Sequence, residues 1–559
     1  MNNTSKQKTY GILWLMVVLS SILLSIPWLV PHCGWLALIA LVPLLSAERV
    51  AEQNNVKRFW LWHYSCFVIW NALTTFWVGN ATVGGGIFAV LANSLQMSVV
   101  FGLFRLSKKK FRGILPYLFL MFAWIAWERW YMVSAEISWP WLVFGNAFAK
   151  SIKTIQWYEF TGTLGGSLWV WAANLSLFGL MVSILEGSWF RWNRFAKWSS
   201  VIGTVIVVVF PFAASAHLWH HFEEESEGKV NVLIAQPNFD PYQKFESMSQ
   251  QQQNNILLAQ FDSALTAMPA PAEAEAVTEK AAALNLWEGL LIAPETFTGD
   301  IFLNDVQSSA TWRSFQEFLQ KYPNADFLFG ASTYEFFHQR SAPSILAREY
   351  GLGWVENHNS AFVTDHTGRY DLFHKSKLVV GTELTPYPKI FVPIDNKLGG
   401  LMGRVIGQKE IATMNYVASD SIVIPFGCAI CYESVYPEYC TGYVLKGAKF
   451  MTIITNDAWW GNTPGYKQHA NYASLRAIEL RRDIARCGNT GISGIINQRG
   501  EYLSTSNWWQ RETLSGQVNT ASRKTFFVRH GDLVGRISTF AFLLLFSYLI
   551  VSLLIRRRN

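Results

Sequence analysis

Hydrophobic residues follow two different patterns along this chain. Up to residue 218, and again after residue 533, they form long runs broken by short polar loops. Between these regions they form short runs separated by turns and by stretches of helical period. A bilayer core takes about 20 apolar residues per helix. Seven candidate spans precede the middle region, near 10–30, 34–46, 59–78, 84–104, 114–134, 163–185 and 198–216, and an eighth lies near 537–555. The second is the shortest. The first is too long for a cleaved signal peptide, lacks a small-x-small cleavage site and is followed by further spans.

The middle region has the pattern of a layered α/β domain. Apolar strand-like runs recur at 230–235, 290–293, 327–330, 360–364, 422–425, 450–455 and 494–497, with helix-like stretches such as 311–321 and 466–486 between several of them. About 300 residues suffice for one well-buried domain. The Ala/Glu/Pro-rich run at 268–285 is expected to be an exposed insertion without chemistry.

Composition sharpens this division. The chain of 559 residues is 51% hydrophobic and 15% charged, against about 25% charged for an ordinary soluble domain. Residues 1–218 hold 16 Lys/Arg, 6 acids and no Asp, whereas residues 219–533 hold 26 Lys/Arg and 33 acids. The basic balance therefore belongs to the membrane part and does not argue for nucleic acid. Basic groups fall in alternate loops: Lys6 and Lys8; Arg49, Lys57 and Arg58; Arg105 to Arg112; Arg191, Arg194 and Lys197; and Arg556 to Arg558. By the positive-inside rule these are cytoplasmic, which puts 219–533 on the opposite side. Lys150 and Lys153 run against the trend.

Three short motifs end strand-like runs in the exported region. Leu291-Ile292-Ala293-Pro294-Glu295-Thr296 puts a carboxylate after a buried strand. Tyr370-Asp371-Leu372-Phe373-His374-Lys375-Ser376-Lys377-Leu378 puts two lysines in a polar turn after another strand-like run. Phe426-Gly427-Cys428-Ala429-Ile430-Cys431-Tyr432-Glu433 puts a thiol at a strand-to-turn junction, where a nucleophile elbow would expose it. Cys428 and Cys431 are spaced C-x-x-C, but on a strand they point to opposite faces, and no second pair completes a zinc set. No metal or cofactor is expected. Cys33 and Cys66 read as small apolar fillers, and any disulfide among Cys428, Cys431, Cys440 and Cys487 stays open. A thiol, a carboxylate to take its proton and an ammonium to hold an oxyanion together suit acyl transfer through a thioester.

In this order and spacing, Glu295, Lys375 and Cys431 resemble the nitrilase superfamily. With eight spans around them, the chain resembles its membrane-bound branch, the apolipoprotein N-acyltransferase family. Supporting stretches are Ala235-Gln236-Pro237-Asn238, Asn456-Asp457-Ala458-Trp459-Trp460-Gly461, Gln468-His469, Arg476-Ala477-Ile478-Glu479, Asn489-Thr490-Gly491-Ile492-Ser493 and Ser138-Trp139-Pro140-Trp141. The resemblance implies a polytopic α-helical domain of about eight transmembrane helices with an extracytoplasmic α/β nitrilase-like αββα sandwich. It implies domain boundaries at 1–218, 219–533 and 534–559. Glu295 is then the general base, Lys375 the oxyanion stabiliser and Cys431 the nucleophile, with Glu383, Tyr432 and Glu433 in supporting or substrate-binding roles. Where the family commonly has Leu-Val-Pro-Phe-Gly-Glu, this chain has Leu378-Val379-Val380-Gly381-Thr382-Glu383.

The implied partners are a glycerophospholipid donor of the phosphatidylethanolamine kind and the N-terminal S-diacylglyceryl-cysteine of an apolipoprotein. The implied setting is a bacterial inner membrane with the catalytic domain on the periplasmic side, and a monomer. Exposed-looking loop aromatics, Phe297, Trp459, Trp460, Trp508 and Trp509, suit a membrane interface. From the residues alone two other readings stay open. One is a transporter, for which Glu128 and Arg129 inside a span are the support. The other is a membrane-tethered amidase.

The orientation is directly testable. A reporter active only in the cytoplasm, fused at about residue 275, should be silent, and activity there would reverse the assignment.

Overall fold

The computed structural model describes residues 3–241, 244, 247–268, 287–419 and 421–555. The insertion at 268–285, apart from its first residue, and the Arg556–Arg558 tail lie outside the described residues. The chain divides into two compact units. One is Met1–Phe222 with Asn462–Asn471 and His530–Asn559; the other is Glu223–Gly461 with Tyr472–Arg529.

The first unit is helical. Helices occupy Asn3–Leu29, Val42–Gln53, Trp60–Thr75, Val83–Ser107, Leu115–Val133, Thr163–Leu185, Arg194–His221 and Leu533–Ile555. Among the described residues, six stretches are long and apolar enough to cross a membrane: Lys6–Leu29, Gly34–Gln53, Val83–Ser107, Thr163–Leu185, Arg194–His221 and Leu533–Ile555. The spans expected near 59–78 and 114–134 form helices that fall short of this measure. Trp60–Thr75 has only 16 residues, and Leu115–Val133 carries Glu128 and Arg129.

That ionisable pair is consumed by structure. Glu128 is fully buried, and its Oε1 accepts the Phe144 N–H at 2.9 Å and the Trp124 indole N–H at 3.1 Å. Arg129 stands 3.6 Å from Asp532. Phe144 stacks on Trp124 at 5.0 Å and on Trp70 at 5.4 Å, so the carboxylate fixes a short 3-10 segment, Phe144–Phe148, into an aromatic core. Gln468 joins the same unit: its Oε1 accepts the Trp141 indole N–H at 2.7 Å, and its amide reaches the Thr74 carbonyl at 3.2 Å.

The second unit is built from fourteen described strands. They are β1 (Gly228–Gln236), β2 (Gly289–Ile292), β3 (Thr298–Phe302), β4 (Ala325–Phe337), β5 (Arg348–Tyr350), β6 (Gly353–Thr364), β7 (Tyr370–His374), β8 (Met414–Val417), β9 (Val423–Ile430), β10 (Met451–Thr455), β11 (Ile484–Gly488), β12 (Gly494–Ile496), β13 (Tyr502–Thr505) and β14 (Glu512–Thr520). An eight-stranded sheet runs β14-β1-β2-β4-β6-β5, with β3 beside β4 and β7 beside β6. A six-stranded sheet runs β13-β12-β11-β10-β9-β8. The expected helix at 466–486 stops sooner: Pro464–Leu480 is helical, and 484–488 becomes strand β11, parallel to β10.

Side-chain parity explains the layers. Val232, Ile234, Leu290 and Ile292 share one apolar cluster with Ala429, Ile453, Cys487 and Ile495 of the other sheet. The alternate residues Leu233, Ala235, Leu291 and Ala293 pack instead with Leu257 and Phe261 of helix Gln250–Ala267 and with Phe315 and Leu319 of helix Ala310–Lys321. A strand buried on both faces needs apolar residues at every position, and this gives the unbroken runs in the sequence. Helices Pro437–Leu445 and Pro464–Leu480 supply Cys440, Tyr443, Ala473 and Ala477 to the cluster that includes the second sheet. The result is the expected αββα sandwich. Phe297, expected among exposed aromatics, is 1% exposed and packs on Phe239 and Phe315, whereas Trp459 is 37% exposed.

A close backbone approach sets the turn after β2 against β4. A Cβ at Gly330 would lie 2.5 Å from Glu295 Cα and 2.8 Å from the Pro294 carbonyl oxygen. Gly330→Ala should therefore push that turn outward and cost about 1–3 kcal/mol, read as a lowered thermal midpoint of the full chain.

Candidate active site

Glu295, Lys375, Glu383 and Cys431 come from four separate chain segments of the second unit. Glu295 follows β2 in a turn where Thr296 takes a φ of +46°. The turn is clasped to β4, because Gly330 N–H donates to the Pro294 carbonyl at 3.1 Å and Phe297 N–H to the Gly330 carbonyl at 2.8 Å. Lys375 directly follows β7, and its N–H donates to the Asn359 carbonyl at 2.7 Å. Glu383 lies in a turn closed by its own N–H on the Val379 carbonyl at 2.9 Å. The departure from the family's usual loop sequence therefore leaves Glu383 within reach of the lysine.

The Lys375 ammonium is 1% exposed and sits between the two carboxylates, 2.9 Å from Glu295 Oε1 and 2.9 Å from Glu383 Oε1. Asn359 matches this arrangement, its amide donating to Glu295 Oε1 at 2.8 Å and to Glu383 Oε1 at 2.7 Å. Glu295 Oε2 accepts the Asn456 N–H at 3.1 Å, and Glu383 Oε2 accepts the Val379 N–H at 2.8 Å. Burial by itself would pull the lysine down, but the Glu295 and Glu383 carboxylates outweigh it and hold its pKa well above the ordinary value. The ammonium therefore stays charged.

Cys431 opens a 3-10 turn, Cys431–Val435, immediately after β9, with a φ of +51°. A non-glycine residue in the left-handed region is strained, and such strain gathers at functional positions. The residue is 9% exposed, so its thiol is more covered than the elbow reading expected. Burial pushes the thiol well above its usual range, the Glu295 carboxylate adds to the push, and Lys375 opposes it. Cys428, within β9, is fully buried and is pushed up to about 12 by burial. None of the six cysteines is in a disulfide.

Glu433 ties two of the segments together. It is fully buried; its Oε2 accepts the Ile430 N–H at 2.8 Å, and its Oε1 accepts the Ser376 N–H at 2.7 Å and the Tyr439 hydroxyl at 2.8 Å. One carboxylate thus spans the turn holding Cys431 and the residue after Lys375. Tyr432 is 4% exposed and meets Tyr436 edge-on at 5.2 Å.

Three further groups of this site were not singled out from the sequence. Asn359 lies in mid-strand with nothing local to mark it. Lys244 is buried, donates from Nζ to the Thr296 carbonyl and is pulled down to about 8 by burial. Asp457, noted only inside a longer stretch, forms a fully buried pair with Arg486 at 2.7 Å.

Two family models match the chain. One, for the apolipoprotein N-acyltransferase N-terminal domain, covers residues 20–176; the other, for carbon-nitrogen hydrolases, covers 344–526. A curated apolipoprotein N-acyltransferase of Chlorobaculum tepidum is 27% identical over 526 residues, 92% of each chain. One of Geobacter metallireducens is 25% identical over 531 residues, 93% of this chain and 92% of that one. The chain belongs to the apolipoprotein N-acyltransferase family. Lys375, Glu383 and Cys431 fall within the matched hydrolase stretch, and Glu295 precedes it. A solved member of branch 10 of the nitrilase superfamily from Saccharomyces cerevisiae is 14% identical, with a TM-score of 0.37, over 53% of this chain and 93% of that one.

The charges around Cys431 predict its reactivity. Alkylation of Cys431, followed by peptide mapping on the full chain, should have a pH midpoint above the ordinary thiol value of about 8.5. Glu295→Gln removes a raising charge and should move the midpoint down. An unchanged midpoint would place the sulfur away from that carboxylate.

Proposed function

We propose that this protein transfers a fatty acyl chain from a glycerophospholipid to the α-amine of the N-terminal S-diacylglyceryl-cysteine of apolipoproteins, through a thioester on Cys431. Membership of the family carries the overall activity. The observation that supports the residue assignment is the buried Lys375 ammonium held between Glu295 and Glu383; Glu295 is assigned as the base for Cys431 because its carboxylate is among the charges that raise that thiol.

The proposed sequence has two half-reactions. As Cys431 Sγ attacks the ester carbonyl, its proton passes to Glu295. Three donors to Glu295 leave acceptor capacity for that proton. The carbonyl oxygen becomes an oxyanion, stabilised by the Lys375 ammonium. The C–O bond breaks, and the lysophospholipid alkoxide leaves with the proton from Glu295. In the second half-reaction the acceptor amine attacks the thioester and gives a proton to Glu295. The C–S bond breaks, and the thiolate takes that proton back. Glu383 acts as a fixed counter-charge that positions Lys375, and Glu433 and Tyr432 position the elbow.

The remaining elements of the reading are proposals of the same kind. The donor is phosphatidylethanolamine-like. The protein is a monomer in a bacterial inner membrane, with residues 1–218 and 534–559 as the membrane parts and 219–533 catalytic on the periplasmic side. The loop charges support that orientation.

Mass spectrometry of the intact protein after exposure to phosphatidylethanolamine tests the chemistry. An acyl adduct should form, vanish in Cys431→Ala and persist in Cys428→Ala. Glu295→Gln should slow its formation by about 10²–10⁴-fold. An adduct mapped to Cys428 would overturn the assignment.

A further inference from the structure

On the two long strands of the first sheet, away from Cys431, two carboxylates face each other. Glu335 of β4 and Glu356 of β6 are direct antiparallel partners. Directly opposed like charges oppose strand pairing unless something lies between them. Among the described residues neither side chain is in an ion pair or a hydrogen bond. His358 is two residues beyond Glu356 and therefore on the same face of the strand. Single ligand atoms of Glu335, Glu356 and His358 lie within 4.8 Å of one another.

The histidine supplies an observation independent of the acids. It is 8% exposed. Its Nδ1 lies 3.0 Å from the Ile406 carbonyl oxygen, which can only accept, so Nδ1 donates to it and Nε2 is the ring nitrogen left to meet a ligand. Among the described residues that buried Nε2 has no hydrogen-bond partner. A backbone carbonyl fixing one ring nitrogen while the other stays open is the usual way in which a ligating histidine is held. The neighbouring His374 stacks on it at 4.3 Å.

We propose that Glu335, Glu356 and His358 bind a divalent cation of the first transition row through two carboxylate oxygens and Nε2, with water completing the shell. An oxygen-rich set with one imidazole suits a Mn²⁺- or Zn²⁺-type ion. Such an ion would neutralise the opposed carboxylates and occupy the open nitrogen. It would also brace β6, whose next residue, Asn359, holds Glu295 and Glu383. His358 already grips Ile406, and the adjacent Val405 N–H donates to the Glu383 carbonyl at 2.9 Å.

Mn²⁺ alone is the probe, because it avoids the thiols. Electron paramagnetic resonance titration of the full chain in detergent should show one saturable Mn²⁺ per chain. Nitrogen coupling from one imidazole should be visible in the bound signal. Glu335→Gln and Glu356→Gln, both at half-buried positions, should each weaken binding by about tenfold or more. His358→Gln should abolish the nitrogen coupling, and Cys431→Ala should change nothing. Absence of saturable binding below millimolar Mn²⁺, binding unaltered in both glutamine variants, or nitrogen coupling that survives His358→Gln would each overturn the site.

Discussion

The site depends on keeping one ammonium charged out of water. A lone buried lysine would lose its proton, and two buried carboxylates without a cation would not both stay ionised. Lys375 between Glu295 and Glu383 settles both problems at once, and Asn359 adds a neutral donor to each acid. Removing any one member leaves the others with an uncompensated buried charge or polar group, which is the expensive outcome. The surrounding structure delivers those side chains to one point. A clasp on β4 fixes the Glu295 turn, a β6 carbonyl fixes Lys375, and a closed turn fixes Glu383.

Much of this was legible in the sequence because burial on both faces leaves a strong mark. Where β1 and β2 are buried on both faces, at 232–235 and 289–292, they are apolar throughout, and the polar Glu295 stands out just beyond β2; Lys375 follows β7, which is only partly buried. The helix expected to run to 486 fails for the same reason in reverse. Residues 484–488 are as buried as the helix before them, and period alone does not separate a buried strand from a buried helix. Asn359 was invisible because its role comes from long-range pairing, which brings β6 alongside β4 and β7. Phe297 was misjudged because a loop position says little about burial when the loop folds under a helix.

In the helical unit, charge served packing. Glu128 resembled the ionisable residue of a transport path, yet its oxygen is taken up by the Phe144 backbone and the Trp124 indole. Inside an apolar bundle a carboxylate can act as a rivet for a segment that breaks helical hydrogen bonding, and the sequence alone does not distinguish that duty from transport.

The left-handed backbone at Cys431 carries a further consequence. The conformation costs a side-chain-bearing residue about 1–2 kcal/mol and costs glycine nothing. The fold therefore has a local preference against the very residue it uses. Drift toward stability at this position would favour loss of the thiol, and only selection on activity would keep it there. An inactive descendant of this chain would then stand to gain stability at the point where it lost its chemistry.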